Sequence, residues 1–557
     1  MASQSEMAAL SARLDKLYEF ERAPVTPDKL HAGRRFAGLF AGEHVAATEF
    51  VIGALFVQHG LRARDLLIGL VIGNLLAVLS WALICAPIAV QVRLTLYWYL
   101  RRIAGPGLTV LYNVVNAGLY CILAGSMIAV SASAVSLMFN VKHPALEDVY
   151  PNSVEWVLVV LGVGAVVVLL AILGFKKLAQ FASVCSPWMF LVFVAGAVAS
   201  LPKLGEFHSL SELWNICNTK VWNGVPLEGQ DKWGLWHVLF FAWFCNLAMH
   251  VGLSDLALFR YARSWRYGFY SAFGMYLGHF LAWVCAGVMG AMVAGLNPGQ
   301  MAYQAVGIAG AVAVVLAGWT TANPTMYRAG LALQIATPNW PRWKVTLAAG
   351  VVTTIVACFP VFFMRLLDFV AIYGILLMPI GAVVFVEHWL FPRLGLRRYW
   401  AEERRVLVNG PALVAWLVTL AACWAMGYVN VHLNFRWLPG WFIAAFVYMG
   451  LCWVWPGTAR GLAAEPEPAG DRPARQGPVK PEPSAKREGG GIAHRLFGGV
   501  ALLALVVCLL LPLRVFLGDP GQLEANLVEY KKWFLVCSLV YFIGAVAFAA
   551  GRERQAA

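Results

Sequence analysis

The sequence predicts an all-α polytopic membrane protein of about 14 spans. Of 557 residues, 60% are hydrophobic and only 13% charged, against about 25% charged in a soluble domain. Apolar runs of roughly 20 residues, enough to cross a bilayer, follow one another along most of the chain. The basic residues gather in alternate connections, as expected of a chain that crosses repeatedly with its positive loops inside. The net charge of +13 thus has a topological origin and is no sign of nucleic acid. A lipid bilayer and a small-molecule substrate are the partners expected; the sequence names no protein partner. The eleven cysteines are scattered singly, without a Cys-x-x-Cys, and read as small core residues rather than a disulfide set or metal cluster.

Taken in order, residues 1–35 form an N-terminal segment. Met7, Leu10, Leu14, Leu17 and Tyr18 have the spacing of an amphipathic helix over Ser5 to Arg22, ended by Pro24 and Pro27. No apolar h-region stands near the start, so no cleaved signal peptide is expected. A twelve-span core fills 36–456, with spans near 36–60, 65–90, 107–134, 154–174, 181–201, 234–258, 269–294, 303–334, 343–364, 367–391, 410–430 and 438–456. The Pro-, Ala-, Glu- and Arg-rich linker over 457–494 cannot bury a core and is expected to be disordered. Two more spans, near 496–516 and 532–551, make a hairpin and tail over 495–557. Arg34 and Arg35 precede span one; Arg101 and Arg102, Lys176 and Lys177, Arg260 and Arg263, Arg342 and Lys344, and Arg397 and Arg398 mark every second connection. Both termini and the linker are therefore expected in the cytoplasm, in a multi-pass protein of the plasma or inner membrane.

Polar groups at bilayer depth single out three spans. Span eight carries Ala317-Gly-Trp-Thr-Thr-Ala-Asn-Pro324. Ala317, Thr320 and Thr321 stand at i, i+3 and i+4, which aligns a carbonyl and two hydroxyls on one face. Oxygen without charge suits a hard monovalent cation such as sodium; the competing reading is threonines that bond their own i−4 carbonyls or glue helices. Span one is interrupted by glycines, Glu43, His44 and Glu49, and span six by Asn246, His250, Gly252 and Asp255. These two lead the halves of a possible five-plus-five repeat, where discontinuous helices meet ligands. Glu43 and His44 read either as a proton relay or as a helix end near the cytoplasm. Glu49 lies deeper and is open to a pathway role or a structural bond, and His250 and Asp255 to water access or pairing. Trp243, near the midplane, either stacks on a flat ring or fills a gap.

The order of these features resembles the nucleobase–cation symporters, the family of cytosine permease and the allantoin and hydantoin transporters. Leu316-Ala-Gly-Trp-Thr-Thr-Ala-Asn-Pro is similar to the family's Leu-Ala-Thr-Trp-Ser-Thr-Asn-Pro run. Gly53-Ala54-Leu55 with Gly60-Leu61, Gly73-Asn74, Gly174-Phe-Lys-Lys177 leading to Pro187, Pro379-Ile-Gly381 and Asn409-Gly-Pro411 follow in order from Pro27 to Trp455. The resemblance implies a LeuT-type five-plus-five inverted repeat with additional C-terminal helices, and sodium between helices one and eight. Its ligands would fall on the Ala41 and His44 carbonyls, the Ala317 carbonyl and the Thr320 and Thr321 hydroxyls. Trp243 would stack on the substrate, with Gly125 beside it. The chain also departs from the pattern. The family's Trp-Phe-Gly-x-Gln becomes Leu123-Ala-Gly-Ser-Met127, its helix-eight asparagine falls on Met326 and its helix-one glutamine on Val45. Ser126, Asn246 and Glu49 are the replacements that would give a differently polar pocket.

The function expected is cation-coupled import of a nucleobase-like or related small ring compound by alternating access, with sodium as coupling ion and no organic cofactor. One rival is a proton-coupled carrier of an amino acid, amine or other solute, working through Glu49 or His44. A second is a non-transporting sensor or scaffold built on the final two spans. No nucleophile–base pair, metal cluster or phosphate loop points to an enzyme.

Overall fold

The computed structural model describes residues 22–145, 148–292, 297–364, 366–461 and 492–556. The amphipathic helix expected over Ser5 to Arg22 and the linker beyond Gly461 lie almost wholly outside them. Ten described helices are long and apolar enough to cross a membrane, and eleven when the bent pair Gly33–His44 and Thr48–Gln58 counts as one. The chain is an integral, multi-pass membrane protein. Helices occupy all fourteen expected positions, but spans six, eight and nine fall short of that standard. Span six breaks after Leu235–Phe244, span nine (Arg342–Ala357) has 16 residues, and polar groups from Thr320 to Arg328 dilute span eight (Ile308–Leu333).

Spans one, three, six and eight make the centre. Span eight lies along span three (Leu96–Met138), the first half of span one packs on span five (Phe175–Leu204) and span seven (Trp265–Gly290), and its second half packs on span seven. Span six pairs with span two (Ala63–Val92). The final hairpin, Ile492–Phe516 and Leu523–Ala556, lies outermost against span five, with 22% of each apolar window buried against 78% for span three.

Two local features differ from the hydropathy reading. The apolar run 303–334 is divided at Gly307, whose φ of 71° separates a short helix, Pro298–Val306, from span eight. Glycine takes that left-handed conformation without a Cβ penalty, so a composition that reads as one helix becomes two. Span three begins eleven residues before its expected start at 107 and kinks at Gly105–Pro106, where proline removes a helical donor.

Span one stops at His44 because the chain leaves helical geometry at Val45 (φ −92°, ψ 64°) and resumes at Thr48, bent by 54°. Span six is interrupted likewise: Asn246 is non-helical (φ −114°, ψ 30°), a single turn follows over Leu247–His250, and Leu253 is left-handed (φ 64°). The breaks predicted for the leading helix of each half are both present, and they face each other across a common cavity.

Candidate functional site

The cavity holds about 70 Å³ of space open to water-sized occupants. Span one contributes Glu43, His44, Thr48 and Glu49, and the break in span six contributes Asn246. Span three presents Leu123 and Met127, span seven His279, span eight Thr321 and Thr325, and span ten Val370 and Tyr373.

His44 is fixed by its neighbours. Its Nδ1 lies 2.9 Å from the Phe40 carbonyl, which can only accept, so Nδ1 carries the proton and Nε2 keeps its lone pair. Nε2 has no partner and the residue is 4% exposed. The ring reaches this depth because span seven offers a Gly-x-x-x-Gly face. A Cβ at Gly278 would stand 2.1 Å from the His44 carbonyl oxygen, and one at Gly274 2.6 Å from Nδ1; small residues permit such close helix contact.

Glu49, on the first turn after the break, accepts from the Trp283 indole nitrogen. Thr48 Oγ1 lies 3.4 Å from its Oε1 and His279 Nε2 lies 3.9 Å away. The His279 ring stacks on Trp283 with centroids 4.3 Å apart, and its Nε2 is 3.5 Å from the Asn246 amide nitrogen.

Below the cavity, Thr321 ties span eight to span one. Its hydroxyl is 2.9 Å from the Glu43 carbonyl and 3.0 Å from the Ala317 carbonyl, and Thr320 lies 3.1 Å from the same Ala317 oxygen. The oxygens of Ala317, Thr320 and Thr321 lie together on span eight, both hydroxyls bonding the Ala317 carbonyl of their own helix as the competing reading has it, and Thr321 also meets the end of span one. On span one the carbonyl that reaches Thr321 is that of Glu43, between the expected Ala41 and His44. The Ala41 carbonyl accepts the Val45 amide at 3.1 Å, and that of His44 abuts Gly278.

The expected substrate residues divide. Asn246 and Glu49 line the cavity. Trp243 does not: its indole donates to Ser80 Oγ at 3.0 Å and its ring meets Trp437 edge-on at 4.6 Å. The break at Asn246 directs one residue to the cavity and the other to spans two and twelve. Gly125 faces span nine, where a Cβ would meet the Thr353 carbonyl at 2.9 Å. Ser126 bonds the Ile122 carbonyl at 3.0 Å within its own helix. Span three instead turns Leu123 and Met127 inward, the two positions where the resemblance places a tryptophan and a glutamine. Val45 and Met326 are buried away from the cavity, and Thr353 donates to Met326 Sδ at 3.9 Å.

Sequence reasoning passes over Arg328, although an arginine inside an apolar run is itself a signal. Its guanidinium is fully buried and forks to both Glu43 oxygens, at 2.6 and 3.2 Å, and to Asp255 Oδ1, at 2.6 and 3.1 Å. Asp255 also accepts from the Trp81 indole at 2.7 Å. One cation on span eight thus binds spans one and six, with span two behind them. His250 joins this wall structurally, its Nε2 donating to the Trp243 carbonyl at 3.0 Å.

A broken span one facing a broken span six, with span eight across them, is the LeuT-type inverted-repeat architecture. The structure is similar to Mhp1, a nucleobase-cation-symport-1 family transporter, in a closed conformation with bromovinylhydantoin bound. The TM-score is 0.61 and the identity 16%, over 78% of this chain and 95% of that one. The inward-facing conformation of Mhp1 gives 0.59 and 15%, over 78% and 96%. A Na+-coupled sialic acid symporter in a substrate-bound, outward-open state gives 0.56 and 12%, over 80% and 95%. At these identities the likeness is one of fold. No protein-family model matches the sequence, and no curated protein does.

Proposed function

We propose that the chain is a cation-coupled secondary transporter that imports a small polar compound, of nucleobase-like size, through the cavity between spans one and six. The observation that carries this reading is the Thr321 bridge, an uncharged oxygen cluster joining the broken end of span one to span eight directly beneath the cavity. Sodium is the coupling ion we assign, with the Thr320 and Thr321 hydroxyls and the Ala317 carbonyl as ligands and Ala41, Glu43 and His44 supplying span-one carbonyls. An ion there favours the form in which the two helices are joined, and such differential affinity is what coupling requires. The termini are assigned to the cytoplasm from loop charge.

The test is uptake by the purified chain in proteoliposomes, under an inward sodium gradient or a pH gradient. Labelled cytosine, uracil, allantoin, hydantoin and small amines make up the panel. Sodium-driven uptake is expected, with Thr321→Ala raising the sodium requirement about tenfold, the worth of one lost charge-assisted contact. Uptake that ignores sodium and survives Thr320→Ala and Thr321→Ala removes the ion assignment.

Proton coupling is the second reading, and the buried Glu49 beside His279 favours it. Uptake driven by a pH gradient alone and lost in Glu49→Gln would replace sodium with the proton.

A further inference from the structure

Glu49 is 2% exposed and, among the described residues, no lysine or arginine lines the space around it. The contrast with the neighbouring cluster is plain, because Glu43 and Asp255 share the Arg328 guanidinium while Glu49 has an indole N–H, a threonine hydroxyl at 3.4 Å and the His279 imidazole at 3.9 Å. A buried carboxylate is costly until a cation meets it. His44 borders the same space, and its ring is packed into the wall with Nε2 buried. The positions on span three that would supply an amide are Leu123 and Met127, so the wall there has nothing to pair with a ring carbonyl.

We propose that the cargo is a small organic cation bearing N–H groups, a primary ammonium, amidinium or guanidinium, seated against the Glu49 carboxylate. The inference rests on the transport reading above. The N–H groups of such a cation answer the Glu49 charge in charge-assisted bonds. A neutral amide of the same shape can donate an N–H but brings no charge to the buried carboxylate. A quaternary ammonium carries the charge but has no N–H to give the carboxylate.

Acetamidine and acetamide are nearly isosteric and differ in charge, so they test the claim on the unaltered full-length chain. Binding is read from the ligand-dependent rise in thermal stability of the detergent-solubilised protein, because a ligand stabilises by mass action. Acetamidine is expected to bind about a hundredfold more tightly than acetamide, tetramethylammonium to fall between them, and Glu49→Gln to abolish the preference. Equal binding of the two, or tighter binding of acetamide, overturns the cargo class. Stabilisation by uracil or hydantoin that persists in Glu49→Gln overturns it too; gradient-driven uptake of that neutral ligand then leaves the transport reading standing. Tight acetamidine binding with no uptake of acetamidine under any gradient overturns the cargo role together with the transport reading.

Discussion

At the scale of single residues, the centre of this molecule is an electrostatic arrangement rather than an apolar one. Arg328 is buried because two carboxylates on other helices surround it, and each carboxylate is buried because the guanidinium is there. Removing one member of such a group leaves uncompensated charge, at a cost of about 3–5 kcal/mol. Arg328→Ala is expected to lower thermal stability by that order. Arg328→Lys is expected to lie between, since an ammonium keeps the charge but cannot place two nitrogens on each of Glu43 and Asp255 as the guanidinium does; melting of the purified variants measures both. The same scale shows where the sequence stopped being legible. Glu49, Asn246 and Thr321 are visible as polar groups at bilayer depth, and all three line the cavity. Trp243, Gly125 and Ser126 depend on rotational phase, which an all-apolar helix does not reveal because it has no polar face to orient it. Span three is buried over most of its circumference, so nothing in its composition separates the Leu123–Met127 face from the Gly125 face.

At the scale of elements, the two broken spans were legible, since glycines and charges interrupt runs that otherwise suit hydrocarbon. The break at Gly307 was not, because a glycine in an apolar run is as often a packing residue as a hinge. The segment entering span one carries its own pH dependence. His31 stacks between Phe175 and Tyr261, with ring centroids 5.2 and 5.1 Å away, and lies 2.8 Å from an Arg35 nitrogen. Burial, then the positive charges of Arg35, Lys176 and Arg263, push its imidazole from 6.5 down to about 3. The docked ring therefore stays neutral while an undocked one takes a proton. The stability it contributes is complete above about pH 6.5 and is lost as pH falls toward about 3. Thermal melts from about pH 7 to about pH 4 are expected to slope downward in the wild type and less steeply in His31→Phe, which keeps the stack without the titration.

At the scale of the whole molecule, hydropathy and loop charge were sufficient for the all-α, repeatedly crossing architecture, and the extra hairpin was visible as two spans past the linker. How it attaches was not, because lipid-facing and protein-facing apolar residues look alike in sequence. It docks on span five through Trp188, whose indole donates to Ser538 at 2.7 Å, and through Tyr541, whose hydroxyl reaches the Val184 carbonyl at 2.5 Å. Trp188→Phe and Ser538→Ala are each expected to cost about 1 kcal/mol, and the double variant less than their sum, because they share one bond. A double-mutant cycle on thermal stability measures that coupling. Additive losses would show that the hairpin is held by shape alone.

Arg328 has one more consequence, for motion. A guanidinium held by a single carboxylate must be stripped bare before its helix can part from its partner's, and the barrier is then the whole desolvation of two ions. This one is shared between spans one and six. It can let go of Glu43 while Asp255 still holds it, or the reverse, so the charge is handed over and never left naked in the bilayer. A rearrangement that moves one broken span at a time keeps a counter-ion at every step, whereas one that moves both together does not. The placement of a single arginine thus favours a rearrangement in which the two helices move in turn, in either order.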